Sequence, residues 1–181
     1  MKQWTLVGTR ELTTVSPTSI RVFQLAARTA ARLGITVKTG AAKGADQLAA
    51  EEVLAGGGRV ILVLPWGSYE YLWVEKMYYS YPGNVQDITF DERVHATWLQ
   101  SVESLHPAPA TLGRAERKLH ARNYGAVEGS EVVVALPTPP ERGGTSQAMR
   151  IGRYLGIPVF NLSLPQEQDK FSSWLRELRE T

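Results

Sequence analysis

The sequence predicts an α/β fold: a doubly wound, mainly parallel sheet of about five strands with an aromatic-rich helical insertion. Two observations carry this. Short apolar, β-branched runs alternate with segments of helical period, the pattern of successive βαβ units. Each of the first four runs also leads into a loop containing glycine or small polar residues, the form of a strand whose carboxyl end opens onto a ligand crevice.

The first run, Trp4 to Val7, ends at Gly8. Ser16 and Pro17 supply an N-cap and a first helical residue, and Ile20, Phe23, Ala27 and Ala30 repeat at helical spacing until Gly34. Ile35 to Lys38 reads as a second strand, and Ala45 to Leu54 as an Ala- and Glu-rich helix ended by Gly56-Gly57-Gly58. Val60 to Leu64 is a continuous branched apolar run, hence a buried parallel strand. From residue 67 to 110 the alternation lapses into a stretch crowded with Tyr, Trp and Phe. It reads as an insertion with helices over Ser68–Ser80 and Asp91–Leu105. The pattern then resumes with a helix over Leu112–Val127, a strand over Glu131–Leu136 and a helix over Thr145–Leu155. A strand over Ile157–Leu162 and an amphipathic helix over Gln166–Arg179 complete it.

Composition narrows the function. A chain of 181 residues suits one domain, taken here as 1–181. There is no cysteine, so disulfides and thiolate chemistry are excluded, and a reducing, cytoplasmic setting is expected. No apolar run reaches the ~20 residues of a bilayer span, and the amino terminus does not read as a secretory signal, so no membrane partner is expected. Twenty basic against eighteen acidic side chains leave a net charge of +2, too small for a general nucleic-acid binder. His95, His106 and His120 have no HxH or HExxH spacing, so no metal site is expected, and no motif calls for a resident cofactor.

The candidate site is therefore the set of loops at the carboxyl ends of the strands. They read Gly8-Thr9-Arg10, then TGAAKGAD from Thr39 to Asp46, then Pro65-Trp66-Gly67, then Pro137 to Ser146. Glycine lets backbone N–H groups approach a ligand, and a helix starting there aims free N–H groups at an anion. Gly143-Gly144-Thr145-Ser146 has that form, with two hydroxyls at the start of a helix. In the second loop Gly40 and Gly44 allow a tight turn, Lys43 offers a charge, and Asp46 is either a helix cap or a ribose-binding carboxylate. Neither GxxxxGK[ST] nor GxGxxG after a strand is present. Trp66, directly after the third strand, is placed to stack on a base, whereas the other aromatics of the insertion read as its core or as a contact between copies. Arg114, Lys118 and Arg122 recur at i, i+4 spacing, a basic helical face that suits phosphates.

Four segments resemble the SLOG superfamily of Rossmann-like domains, which includes DNA-processing DprA proteins and nucleotide phosphoribohydrolases. They are VGTR, TGAAKGADQLAAEEVLAGGGRVILVLP, ARNYGAVEGSEVVVALP and GGTSQAMRIGRYLGIPVFNL. The resemblance implies a pocket formed by Gly8, Thr9 and Arg10, by Gly40 to Asp46 including Ala41, by Arg122 and Asn123, and by Gly143 to Ser146. It implies that the ligand is a nucleotide, a nucleotide derivative or single-stranded DNA. A homo-oligomer is expected from the apolar-aromatic insertion. One departure matters: the hydrolases carry a glutamate in PGGxGTxxE, and Ala148 stands at that position here. Turnover is thus left open. Sensing or binding is the leading expectation, with N-glycosidic hydrolysis through Asp46 or Glu141 and single-stranded DNA binding as alternatives.

Overall fold

The computed structural model describes residues 1–180, with side chains as far as Leu178. Strand β1 (Gln3–Gly8) leads through a short 3₁₀ turn to helix α1 (Pro17–Arg32), and β2 (Thr36–Thr39) follows. Next come α2 (Ala45–Ala55), β3 (Val60–Leu64), α3 (Tyr71–Ser80), β4 (Val85–Thr89) and α4 (Ala96–Leu105). The chain continues through α5 (Arg114–Val127), β5 (Val132–Leu136), α6 (Gly143–Tyr154), β6 (Val159–Asn161) and α7 (Pro165–Glu180). Ser16 caps α1 as its sequence position implied, accepting from the Ser19 N–H at 3.1 Å.

All six strands are parallel, in the order β4-β3-β2-β1-β5-β6. The sixth strand is a finding. Within the aromatic stretch, β4 pairs with β3 from Val85 against Val60 to Thr89 against Leu64. The stretch is thus one more βαβ unit at the sheet edge. Its pattern was hidden because Gln86 and Asp87 face solvent on an edge strand, which breaks the apolar run of an interior one. Helix α3 begins at Tyr71, later than the spacing suggests, because Glu70 turns into the left-handed region at φ 48°.

Helices α1, α2, α3 and α7 cover one face of the sheet and α4, α5 and α6 the other. The first face is packed around Trp4, Leu6, Phe23, Val37 and Leu62, all fully buried. Beneath α7, Trp4 meets the rings of Phe171 and Trp174 at 6.3 and 5.5 Å between centroids. On the second face Trp98 lies flat over the bare Gly125 of α5, where an added Cβ would fall 2.2 Å from the indole. The indole N–H donates to Glu128 at 2.8 Å. Most of the insertion's aromatics thus complete this domain's own layers, while Leu72 and Tyr79 of α3 stay 70% and 90% exposed.

The order fixes where a ligand would sit. From β1 the chain winds outward through β2, β3 and β4, then crosses back to β5 on the other side of β1. The loops leaving β1 and β5 therefore diverge and leave a crevice between them.

Candidate functional site

A cleft of about 390 Å³ opens at that crevice, lined by the loop after β1, the loop after β5, the start of α6 and the inner face of α5. Its floor is built by close backbone approach. A Cβ on Gly8 would lie 2.5 Å from that of Ala45, and one on Gly44, at φ +87°, would lie 2.5 Å from the Thr9 carbonyl oxygen. Asp46, in the first turn of α2, accepts from the Gly8 N–H at 3.0 Å and the Ala42 N–H at 3.4 Å. The TGAAKGAD segment thus acts as a buttress holding the β1 loop in place. Asp46 is neither the N-cap of α2, which is Gly44, nor a free carboxylate. Burial raises its pKa above the ordinary value, opposed mainly by the nearby Arg122 guanidinium.

Arg122 is the hub of one wall. Only 5% exposed, it donates to the carbonyls of Gly40 and of Val63, the latter at 3.2 Å, and through Nε to Asn123 Oδ1 at 3.0 Å. Gly40 is bare because a Cβ there would fall 2.7 Å from both Arg122 Cζ and Asp46 Oδ2. The guanidinium lies 5.3 Å from the ring centre of Tyr69, whose hydroxyl accepts from Arg10 at 3.3 Å. One buried tyrosine of the aromatic stretch thereby positions two arginines of the cleft. Asn123 in turn donates to the Gly144 carbonyl at 3.1 Å, tying α5 to the first turn of α6.

The opposite wall is that first turn. Gly143 has φ +77°, and no side chain caps α6, so the amides of its first turn lack partners within the helix. Thr9 and Thr138 share a 2.6 Å hydrogen bond across the mouth of the crevice, holding the β1 and β5 loops together. Arg10, Arg122 and Arg142 stand in the lining, opposed by Glu11 and the tethered Asp46.

Among residues expected from the sequence, Gly8, Thr9, Arg10, Asp46, Arg122, Asn123, Gly143, Gly144 and Thr145 line this one cleft. Gly40 and Gly44 stand behind it, Ala41 is fully buried in the core, Ser146 is buried within the first turns of α6, and Lys43 faces solvent. Trp66 lies outside the lining, half-buried, with its ring edge-on to Tyr69 at 5.3 Å. Glu11, Leu119, His120, Thr138 and Arg142 join the lining without having been singled out. Thr138 and Arg142 were legible as parts of the β5 loop. His120 was not, because nothing in its spacing separates it from a helix-surface histidine.

Two sequence-derived groupings come apart. Arg114, Lys118 and Arg122 do not share a solvent face: Arg114 is exposed, but the stripe turns inward, and Arg122 is buried against the sheet. Ala148 is fully buried among Val7, Val133 and Met149, and Glu141 is exposed, paired with Arg153 at 3.4 Å. Neither position brings a carboxylate to the cleft.

The family model of DNA recombination-mediator protein A matches residues 1–78, which hold β1 to β3 with α1, α2 and the loops between them. In three dimensions the chain resembles DNA processing protein A of Helicobacter pylori, described for its single-stranded DNA binding mode. The TM-score is 0.59 at 18% identity, over 88% of this chain and 64% of that one. The molybdenum cofactor carrier protein of Chlamydomonas reinhardtii aligns over 96% of this chain and 85% of its own, with a TM-score of 0.56 at 16% identity. The chain shares their Rossmann-like fold. DprA of Streptococcus pneumoniae shows the same fold, with a TM-score of 0.56 at 15% identity, and this chain spans 56% of its length. No curated protein matches in sequence. Among the described residues no helix is long and apolar enough to cross a membrane, and no cluster of metal-ligating side chains occurs.

Proposed function

We propose that this SLOG-type domain binds a small phosphorylated ligand of the nucleotide class in the β1/β5 cleft, as a sensor or ligand-binding protein. The observation that carries this reading is the uncapped first turn of α6 opening onto a cleft with three arginines in its lining. A phosphate there meets backbone N–H groups, the helix dipole and the exposed Arg10 and Arg142 together. Leu119, Val7 and Ala42 offer an apolar wall for a base or sugar face.

Gly144→Asp is the decisive variant. A Cβ at Gly144 meets only Asn123 Nδ2, at an ordinary 3.6 Å, and an acid in a first helical turn is favourable. The variant should melt at or above the wild-type temperature yet lose stabilisation by nucleoside phosphates in a thermal-shift screen. Equal stabilisation of both proteins would remove the reading.

The DprA family match over residues 1–78 supports a second reading, single-stranded DNA running through the same cleft. Strand binding should weaken steeply as salt rises, while a single phosphate group gives a shallow slope. An oligonucleotide that binds only at low salt, with no response to mononucleotides, would move this reading to first place. The exposed Leu72 and Tyr79 of α3 support a homo-oligomer. Sedimentation should show concentration-dependent association that Leu72→Glu abolishes, and a monomer at all concentrations would refute it.

A further inference from the structure

His120, on α5, borders the cleft two residues before Arg122, and its Nδ1 is buried with no hydrogen-bond partner. The groups that face it are cationic or become so on protonation. His106, at the end of α4, sits edge-on with ring centroids 4.6 Å apart, Arg150 approaches from α6, and Arg122 from its own helix. The acids nearby are engaged elsewhere. Glu116 acts on His106 and Glu141 on Arg150, while Asp46 is held by the Gly8 and Ala42 amides. The remaining cleft charges are Arg10, Arg142 and Glu11. In the free protein a proton on His120 thus adds a charge to an electropositive, half-buried corner. An anion in the cleft supplies the counter-charge that corner lacks.

We propose that His120 couples anion binding in this cleft to uptake of one proton from solvent, making it a specificity residue that favours the doubly charged form of the ligand. The inference rests on the reading that the cleft holds an anion, and extends it to regulation of that site by pH. Burial, then the three cationic neighbours, lower the pKa of His120 to about 4 in the free protein, so its imidazole is neutral near neutrality. An anion that restores the ordinary value of about 6.5 must by linkage bind more tightly as the pH falls.

The test uses the whole chain and sulfate, which stays a dianion from about pH 5 to about pH 8, so that only protein groups titrate. Binding is read from the Gly144 amide resonance and protonation from the ring resonances of His120. Saturating sulfate should move the His120 titration upward by about two units, with sulfate held on the order of tenfold tighter near pH 5 than near pH 8. H120Q should flatten that gradient and H106Q should keep one. A His120 titration unmoved by bound sulfate, or a gradient that survives in H120Q, overturns the proposal and leaves the cleft reading standing. If sulfate shifts no cleft amide at any pH, the anion-binding reading fails and this proposal falls with it.

Discussion

At the scale of single residues, the cleft depends on bare backbone and on buried charge. Gly40 leaves room for Arg122 and Asp46 to approach from either side, 2.7 Å from where a Cβ would stand. Gly40→Ala must displace both groups and should cost roughly 1–3 kcal/mol, read as a lower urea midpoint at unchanged slope. Asp46 and His120 act in opposite senses on stability. The Asp46 pKa is raised, so its contribution to stability is lost as the pH rises from the ordinary carboxylate range through the folded value. The His120 pKa is lowered to about 4, so the unfolded chain takes up its proton first, and stability falls as the pH drops from the ordinary value of about 6.5 toward that value. Because the ring is only half-buried, the loss should be roughly 1–2 kcal/mol, and H120Q should flatten this acid limb in urea unfolding between about pH 6.5 and pH 4.

At the scale of elements, α5 is held from below and above. Lys38, buried in β2, donates to the carbonyl of Gly125 at 2.8 Å and to that of Glu128, answering the open C-terminal carbonyls of α5. Burial brings its pKa down to about 8. Thr5 adds a bond from β1 to the Ala126 carbonyl at 2.6 Å. Lys38→Met would leave two buried carbonyls without a donor and should lower stability by about 1–3 kcal/mol. From above, Trp98 rests on Gly125, so Gly125→Ala should destabilise by about 1–3 kcal/mol, and the smaller ring of Trp98→Phe should recover part of that loss in a double-mutant cycle. Since α5 carries His120, Arg122 and Asn123, both changes should also weaken any ligand of the cleft.

At the scale of the whole molecule, strand order concentrates the chemistry. Loops separated by more than 120 residues meet because β1 and β5 pair in register from Trp4 against Val132 to Gly8 against Leu136. The hydrogen bond of Thr9 with Thr138 closes the same junction. The net charge of +2 does not predict an electropositive site, yet the fold gathers Arg10, Arg122 and Arg142 at one opening. Thr138→Val should loosen the two loops and weaken a cleft ligand severalfold with under about 1 kcal/mol of lost stability. Calorimetric titration beside a melting curve separates the two effects.

The sequence by itself determined the α/β class, five of the six strands and the N-cap of α1, because interior parallel strands must be apolar throughout and a cap of that kind is local. It also marked the glycine loops from which the cleft is made, since a backbone that must approach closely has few residues to choose from. What it left undecided depended on partners distant in the chain. Edge strand β4 is half solvated, so its apolar pattern is broken. Gly40 and Gly44, legible as ligand loops, proved to be clearance for Arg122 and for the β1 loop. Asp46, legible as a cap or a ribose ligand, is spent on two backbone amides. Arg122 looked like one of three equal cations on a helix face, and only the packing of α5 against the sheet turned it inward. A side chain's type can be read locally, but its free valences depend on which neighbours the tertiary fold brings to meet them.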